Sequence, residues 1–205
     1  MAQTKVREIL QSDESTKEKL DYLWGYYKTH VIITILAILF GGYLLIDWIN
    51  RPVTYFHMTV LAPEVMFDEE EPLSMELTEI LDPQGANDTV YASFTPHGEL
   101  AERFSAQFTA AEYDLILMDD FSFGEYSEYE TMQEFRVSGL DEEDYYESDI
   151  YDDPIGIDSD HFPIFDNYTT TQDLIVIIPG NTTRRPAIEE FFADQGLELE
   201  FIDND

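Results

Sequence analysis

Asp119 and Asp120 directly follow an apolar segment, Tyr113 to Met118 (YDLILM), whose composition is typical of a buried β-strand. In open α/β sheets, ligands bind beyond the carboxyl ends of the strands. These two aspartates are therefore candidate ligand-binding residues. The alternative is that they cap a following helix or lie in solvent, because Asp is common in strand-to-helix loops.

A second candidate ligand-binding pair, Arg184 and Arg185, follows Asn181-Thr182-Thr183 and opens a predicted helix. Cationic side chains at the N-terminus of a helix, together with its free backbone N–H groups, can bind an anion. The alternative is internal ion pairing, because most of the charged residues in this part of the chain are carboxylates.

Four aspartates near the middle of the chain form a candidate calcium site. Ca²⁺ requires several oxygen ligands close together, and Asp152, Asp153, Asp158 and Asp160 supply carboxylates within one short segment. The EF-hand pattern is absent, so a solvated acidic loop is the alternative. Calcium is the one cofactor that this sequence suggests.

The other residue types that commonly carry chemistry show no recognisable pattern. His57, His97 and His161 are far apart and lack the spacing of zinc ligands. The chain has no Cys, and it lacks the nucleophile elbow, the P-loop, H-E-x-x-H and G-x-G-x-x-G. We therefore expect a protein that is not an enzyme.

The charge of the chain is concentrated in its C-terminal three quarters. The formal net charge is −34. Residues 1–51 hold six of the ten Lys and Arg residues and only six of the 44 Asp and Glu residues. Residues 52–205 therefore carry four Arg against 38 acids. Such a surface repels phosphate backbones, which argues against nucleic acid as a partner. Aromatic residues at 14% indicate a folded domain and argue against a disordered acidic tail.

An apolar segment near the N-terminus has the length of a membrane anchor. Residues 31–49 are long enough to cross a hydrocarbon core of about 30 Å, with Asp47 near the far end. Lys17, Lys19 and Lys28 precede the segment and Arg51 follows it, so the positive-inside rule places residues 1–30 in the cytoplasm and residues 52–205 outside the cell. No cleavage site follows the segment, which predicts an uncleaved single-pass anchor in the cell membrane.

The anchor is predicted to form part of a longer helix. Ser15-Thr16-Lys17-Glu18 fits a capping box, and Pro52 ends the pattern, so one helix is predicted from about Thr16 to Asn50.

The outer segment alternates predicted strands and helices, which predicts an α/β domain with a mostly parallel sheet in three layers. The predicted strands are Thr54–Leu61, Thr89–Phe94, Tyr113–Met118, Tyr151–Ile157, Asp173–Ile178 and Leu197–Ile202. The predicted helices cover Pro72–Leu81, a stripe of Leu100, Phe104 and Phe108 capped by Thr95-Pro96, the segment Phe121–Phe135, and a stripe of Ile188, Phe191 and Phe192.

The order of these elements resembles a reduced extracellular solute-binding protein domain. The resemblance lies in "AERFSAQFTAAEYDLILMDD" (Ala101 to Asp120), "PIGIDSD" (Pro154 to Asp160) and "DLIVIIPGNTTRRPAIEEFF" (Asp173 to Phe192). The aromatic and basic stretch "YLWGYYKTH" (Tyr22 to His30) is similar to that of membrane-anchored proteins of Gram-positive-type bacteria. The resemblance implies a solute-binding-lobe fold. Full solute-binding proteins have two lobes and are about twice this long.

Two functions from different classes follow. The first is a binding module outside the membrane, anchored in the lipid bilayer, which takes a membrane protein partner or a small solute as an accessory subunit of a larger assembly. The second is a cation-dependent hydrolase of envelope material that uses dispersed carboxylates such as Asp119, Asp120 and Asp158. The hydrolase requires these carboxylates to converge in one concave pocket.

Overall fold

The computed structural model describes residues 15–98 and 101–203, and the chain divides into two compact units, Met1–Arg51 and Pro52–Asp205. Part of the predicted cytoplasmic head, residues 1–14, lies outside the described residues, as does Leu100.

The described part of the first unit is a single long helix, α1, which spans Thr16–Ile49. The predicted capping box is confirmed, since Ser15 Oγ accepts from the Glu18 backbone N–H (3.4 Å) and the Glu18 carboxylate accepts from that of Ser15 (3.1 Å). The helix has 34 residues, or about 51 Å at ~1.5 Å per residue. Its stretch Tyr27–Ile49 is long and apolar enough to cross a membrane.

The second unit is a mixed α/β structure built on a six-stranded sheet. The sheet order is β2-β1-β3-β7-β6-β5. β1 pairs in parallel with β2 and with β3. The pairs β3–β7, β7–β6 and β6–β5 are antiparallel. β1, β2, β3 and β6 therefore run in the same direction. The strands are β1 Val53–Ala62, β2 Asp88–Pro96, β3 Leu115–Met118, β4 Glu134–Val137, β5 Tyr145–Tyr146, β6 Gly156–Asp158, β7 Ile175–Ile177 and β8 Leu199–Ile202.

Helices cover both faces of this sheet, as predicted for three layers. They are α2 Glu70–Leu81, α3 Ala101–Thr109, α4 Asp120–Tyr126 and α5 Arg185–Asp194. Alternate residues of the central strands enter two separate cores, because successive side chains of a strand point to opposite faces. One core contains apolar residues of α2 and α5, and the other contains apolar residues of α3 and α4.

The region between β3 and β7 differs most from the prediction. A helix was predicted over Phe121–Phe135, but α4 ends at Tyr126 and β4 begins at Glu134. β4 instead pairs antiparallel with β8 in a separate two-stranded sheet. The strand predicted at Tyr151–Ile157 is observed at Gly156–Asp158, where it pairs with β7 and with the short β5.

The outer edge of β2 is closed by side chains of α2. Ser74 Oγ accepts from the backbone N–H of Ala92 (2.8 Å), and Glu70 Oε1 accepts from that of Phe94 (2.6 Å). Such contacts protect an edge strand from pairing with another chain. Thr95 and Pro96 lie at the end of β2, so the predicted helix cap at these residues is wrong.

Candidate functional site

The carboxyl ends of β1, β2 and β3 meet at one edge of the sheet. The backbone N–H of His97 donates to the Ala62 carbonyl (3.1 Å), and that of Asp119 donates to the Leu61 carbonyl (3.3 Å). β2 and β3 lie on opposite sides of β1, and the helices that precede them pack on opposite faces. This edge is therefore a topological switch point, the place where open α/β sheets bind ligands.

Asp119, one of the predicted ligand-binding residues, lies at this edge and also caps α4. Its Oδ1 accepts from the backbone N–H of Ser122 (3.3 Å) and lies 3.2 Å from His97 Nε2. Ser122 Oγ lies 2.8 Å from the same His97 nitrogen. Asp119, His97 and Ser122 thus connect the loop after β2 to the start of α4.

The geometry of these three side chains does not form a nucleophilic relay. In a Ser-His-Asp triad, the serine and the aspartate contact different nitrogens of the imidazole ring, so that the ring can pass a proton between them. Here Ser122 Oγ and Asp119 Oδ1 both lie beside Nε2. Ser122 is also buried. The arrangement holds two loops together and leaves their outer side chains available for binding.

A cavity of about 160 Å³ opens beside this cluster. Phe121 stands at its border with 70% of its surface exposed. Asp120, the second predicted residue, is the exposed first residue of α4 and does not line the cavity. Among the described residues, the side chains that line it come from the end of β1, the loop after β2 and α4: Leu61, His97, Phe121, Ser122, Glu125 and Tyr126.

Arg184 is bound within the protein by a buried carboxylate. Its Nε lies 2.8 and 3.0 Å from the two oxygens of Asp114, which is 0% exposed. Asp114 also accepts from Thr182 Oγ1 (2.6 Å) and from the backbone N–H of His57 (2.9 Å). The anion that the Arg184 guanidinium binds is therefore the chain's own Asp114.

Arg185 is bound internally as well. Its two terminal nitrogens donate to the Asp203 carboxylate (2.7 and 3.0 Å), and Nη2 also donates to Gln133 Oε1 (2.7 Å). These hydrogen bonds lower the pKa of Asp203. Gln133, Arg185 and Asp203 line an open groove of about 490 Å³. The Arg185 guanidinium in this groove is therefore already paired with a carboxylate of the chain.

The first two candidate calcium ligands have structural contacts. Asp153 Oδ1 lies 3.2 Å from Arg136 Nε. The backbone N–H groups of Asp152 and Asp153 donate to Glu134 Oε1 (2.8 and 2.9 Å). The Asp152–Asp153 segment therefore folds around the side chains of β4.

The other two candidate calcium ligands lie at the end of β6. Asp158 Oδ1 accepts from the backbone N–H of Asp160 (3.0 Å), and the negative charge of Asp158 raises the pKa of Asp160. Over residues 15–98 and 101–203, no three His, Asp or Glu side chains are placed to hold a metal ion. The structure does not bring the four predicted aspartates together.

His57 and Asp114 form a buried polar network that sequence analysis missed. His57 is 1% exposed, its Nδ1 donates to the Glu112 carbonyl (3.0 Å), and its Nε2 lies 2.8 Å from Ser93 Oγ. Burial lowers the pKa of His57 to about 4, so the ring is neutral at pH 7. The sequence feature that could have indicated this network is Asp114, a charged residue inside the otherwise apolar segment Tyr113 to Met118.

Comparison with protein-family models, with curated proteins and with solved structures gives no match.

Proposed function

We propose that this protein is a membrane-anchored binding module whose second unit lies outside the cell. α1 provides a stretch that can span a membrane, and Lys17 and Lys19 before it, together with Lys28 at its start, support a cytoplasmic N-terminus. The module takes a protein partner or a small solute and acts as an accessory subunit of a membrane assembly.

The observation that carries this proposal is the cavity at the switch point of the sheet. It combines an exposed aromatic ring, Phe121, with a polar wall in which His97 contacts Ser122 and the neighbouring Asp119. Apolar and aromatic lining with a few polar groups is typical of a binding site.

The hydrolase proposal has less support. It needs Asp119, Asp120 and Asp158 in one concave pocket, whereas Asp119 lies beside His97, Asp120 is outside the cavity lining, and Asp158 caps the turn after β6. The shared contact of Ser122 and Asp119 with one imidazole nitrogen also disfavours nucleophilic catalysis. The binding module is therefore the better supported function.

Site-specific photocrosslinking in intact cells tests the binding proposal. A photoreactive phenylalanine at position 121 is compared with the same residue at Met75, which is 61% exposed on α2, against the opposite face of the sheet. We expect a stoichiometric membrane-protein adduct from position 121 alone. Equal adducts from both positions, or adducts from position 75 alone, would contradict a binding site at the switch point.

A further inference from the structure

The size of the switch-point cavity limits what can enter it. Its volume of about 160 Å³ is close to that of an engineered cavity of about 150 Å³ that holds one benzene molecule. One side chain fits within such a space, whereas an oligosaccharide or a nucleotide would extend beyond it. A protein partner can fill it with a single anchor residue.

The lining of the cavity combines apolar walls with a carboxylate. Leu61 and the ring of Tyr126 supply apolar surface, and Phe121 adds an exposed ring at the border. Glu125 is exposed, and none of the described residues pairs with its carboxylate through a salt bridge or a hydrogen bond. An aromatic ring beside a carboxylate favours a cationic group on an aliphatic stem.

The charge of the whole second unit favours the same occupant. Its four Arg residues face 38 acids, and three of them are paired within the chain: Arg136 with Glu142 and Asp153, Arg184 with Asp114, and Arg185 with Asp203. A field of this sign attracts basic groups and repels anions. An anionic ligand would meet no free guanidinium among these three residues.

We infer that the switch-point cavity takes the side chain of a Lys or Arg residue from a protein partner. The aliphatic stem lies against Leu61 and Tyr126, and the cationic head lies between the Glu125 carboxylate and the Phe121 ring. This inference rests on the proposed binding function. The closed outer edge of β2 favours anchoring through a side chain over pairing through a strand.

Titration of the full chain in lipid nanodiscs tests the ligand class. The probes are Nα-acetyl-lysine methylamide and its neutral analogue Nα-acetyl-norleucine methylamide, followed by ligand-observed NMR. We expect the lysine probe to bind about tenfold more tightly. Glu125→Gln and Phe121→Ala should each weaken the lysine probe about threefold to fivefold. Glu128→Gln is the matched control, because Glu128 is also exposed but does not line the cavity.

The outcomes separate this inference from the proposed function. Equal affinity for both probes, or an equal loss with Glu125→Gln and Glu128→Gln, would overturn the basic anchor. If position 121 crosslinks to a partner segment that contains no Lys or Arg, the binding module stands and the ligand class is wrong. If position 121 gives no adduct and neither probe binds, both proposals fail. A crosslink adjacent to a basic residue, combined with lysine selectivity, supports both.

Discussion

β3 has an aspartate at each end, and the two aspartates differ in what they bind. Asp114, before the strand, is fully buried and is bound by Arg184 and by the backbone of His57. Asp119, after the strand, is partly exposed beside His97, which lines an open cavity. The same residue types thus make a closed structural network at one end and a candidate binding site at the other. The difference lies in how many contacts the chain itself supplies.

The largest effect is expected at the closed end. Arg184→Met removes the cation beside a carboxylate that is 0% exposed, and breaking a buried pair in this way costs about 3–5 kcal/mol. Urea unfolding of the second unit, with the full chain in nanodiscs, measures the loss. Arg103→Met is the control, since Arg103 is exposed and contacts Gln107. A loss below about 1 kcal/mol for Arg184→Met would show that the network is not structural.

The pH dependence of stability should also come from the closed end. The pKa of His57 is about 4 in the folded protein and about 6.5 when unfolded, so the unfolded state binds the proton more tightly. Stability from His57 is therefore complete above pH 6.5 and falls as the pH drops toward 4, by up to roughly 3 kcal/mol.

Two histidine variants isolate this effect. His57→Gln should flatten the change in unfolding free energy between pH 7 and pH 4.5, and His161→Gln, at a partly exposed position, is the control for removing an imidazole. If the unfolding free energy of His57→Gln changed with pH as much as that of the unmodified protein, the acid sensitivity would come from carboxylates instead.

A smaller effect is expected at the open end. Asp119→Ala removes the cap of α4, which is worth about 1 kcal/mol, and Asp119→Asn should retain it because the amide oxygen can still accept from Ser122. Thermal unfolding of the two variants in nanodiscs checks this order. If Asp119→Ala were as destabilising as Arg184→Met, the two ends of β3 would be equally structural.

The smallest effect is expected from calcium. Raising NaCl from about 0.01 M to 1 M shortens the Debye length from about 30 Å to about 3 Å, so screening of the excess carboxylates should raise the melting temperature. Millimolar Ca²⁺ added at 1 M NaCl should then cause no further shift, because Asp152, Asp153, Asp158 and Asp160 do not converge. A large Ca²⁺ shift that Asp158→Asn abolishes would identify a calcium site.

Much of the fold was predictable from local patterns. The capping box at Ser15 fixed the start of α1, and the continuous apolar runs of β3 and β7 marked central strands because both faces of those strands are buried. β4 and β5 were missed because neither has a distinctive pattern of its own. β4 is defined by its pairing with β8, more than 60 residues later, and β5 by two pairs with β6.

The candidate site was predictable in part. Asp119 follows an apolar strand, and that position marked it as a candidate. The role of His97 depends on β2 and β3 lying on either side of β1, which brings the loop after β2 beside the start of α4. Nothing in the local sequence around His97 indicates that arrangement.

The central claim, that the second unit presents its cavity outside the cell, is tested most directly by cysteine labelling. The natural chain has no Cys, so each introduced Cys is the single reactive thiol. With a membrane-impermeant maleimide on intact wall-less cells, we expect Phe121→Cys to react at once and Leu20→Cys to react only after permeabilisation. Both residues are well exposed, at 70% and 66%. Labelling of Leu20→Cys and protection of Phe121→Cys in intact cells would contradict the proposed orientation and the function built on it.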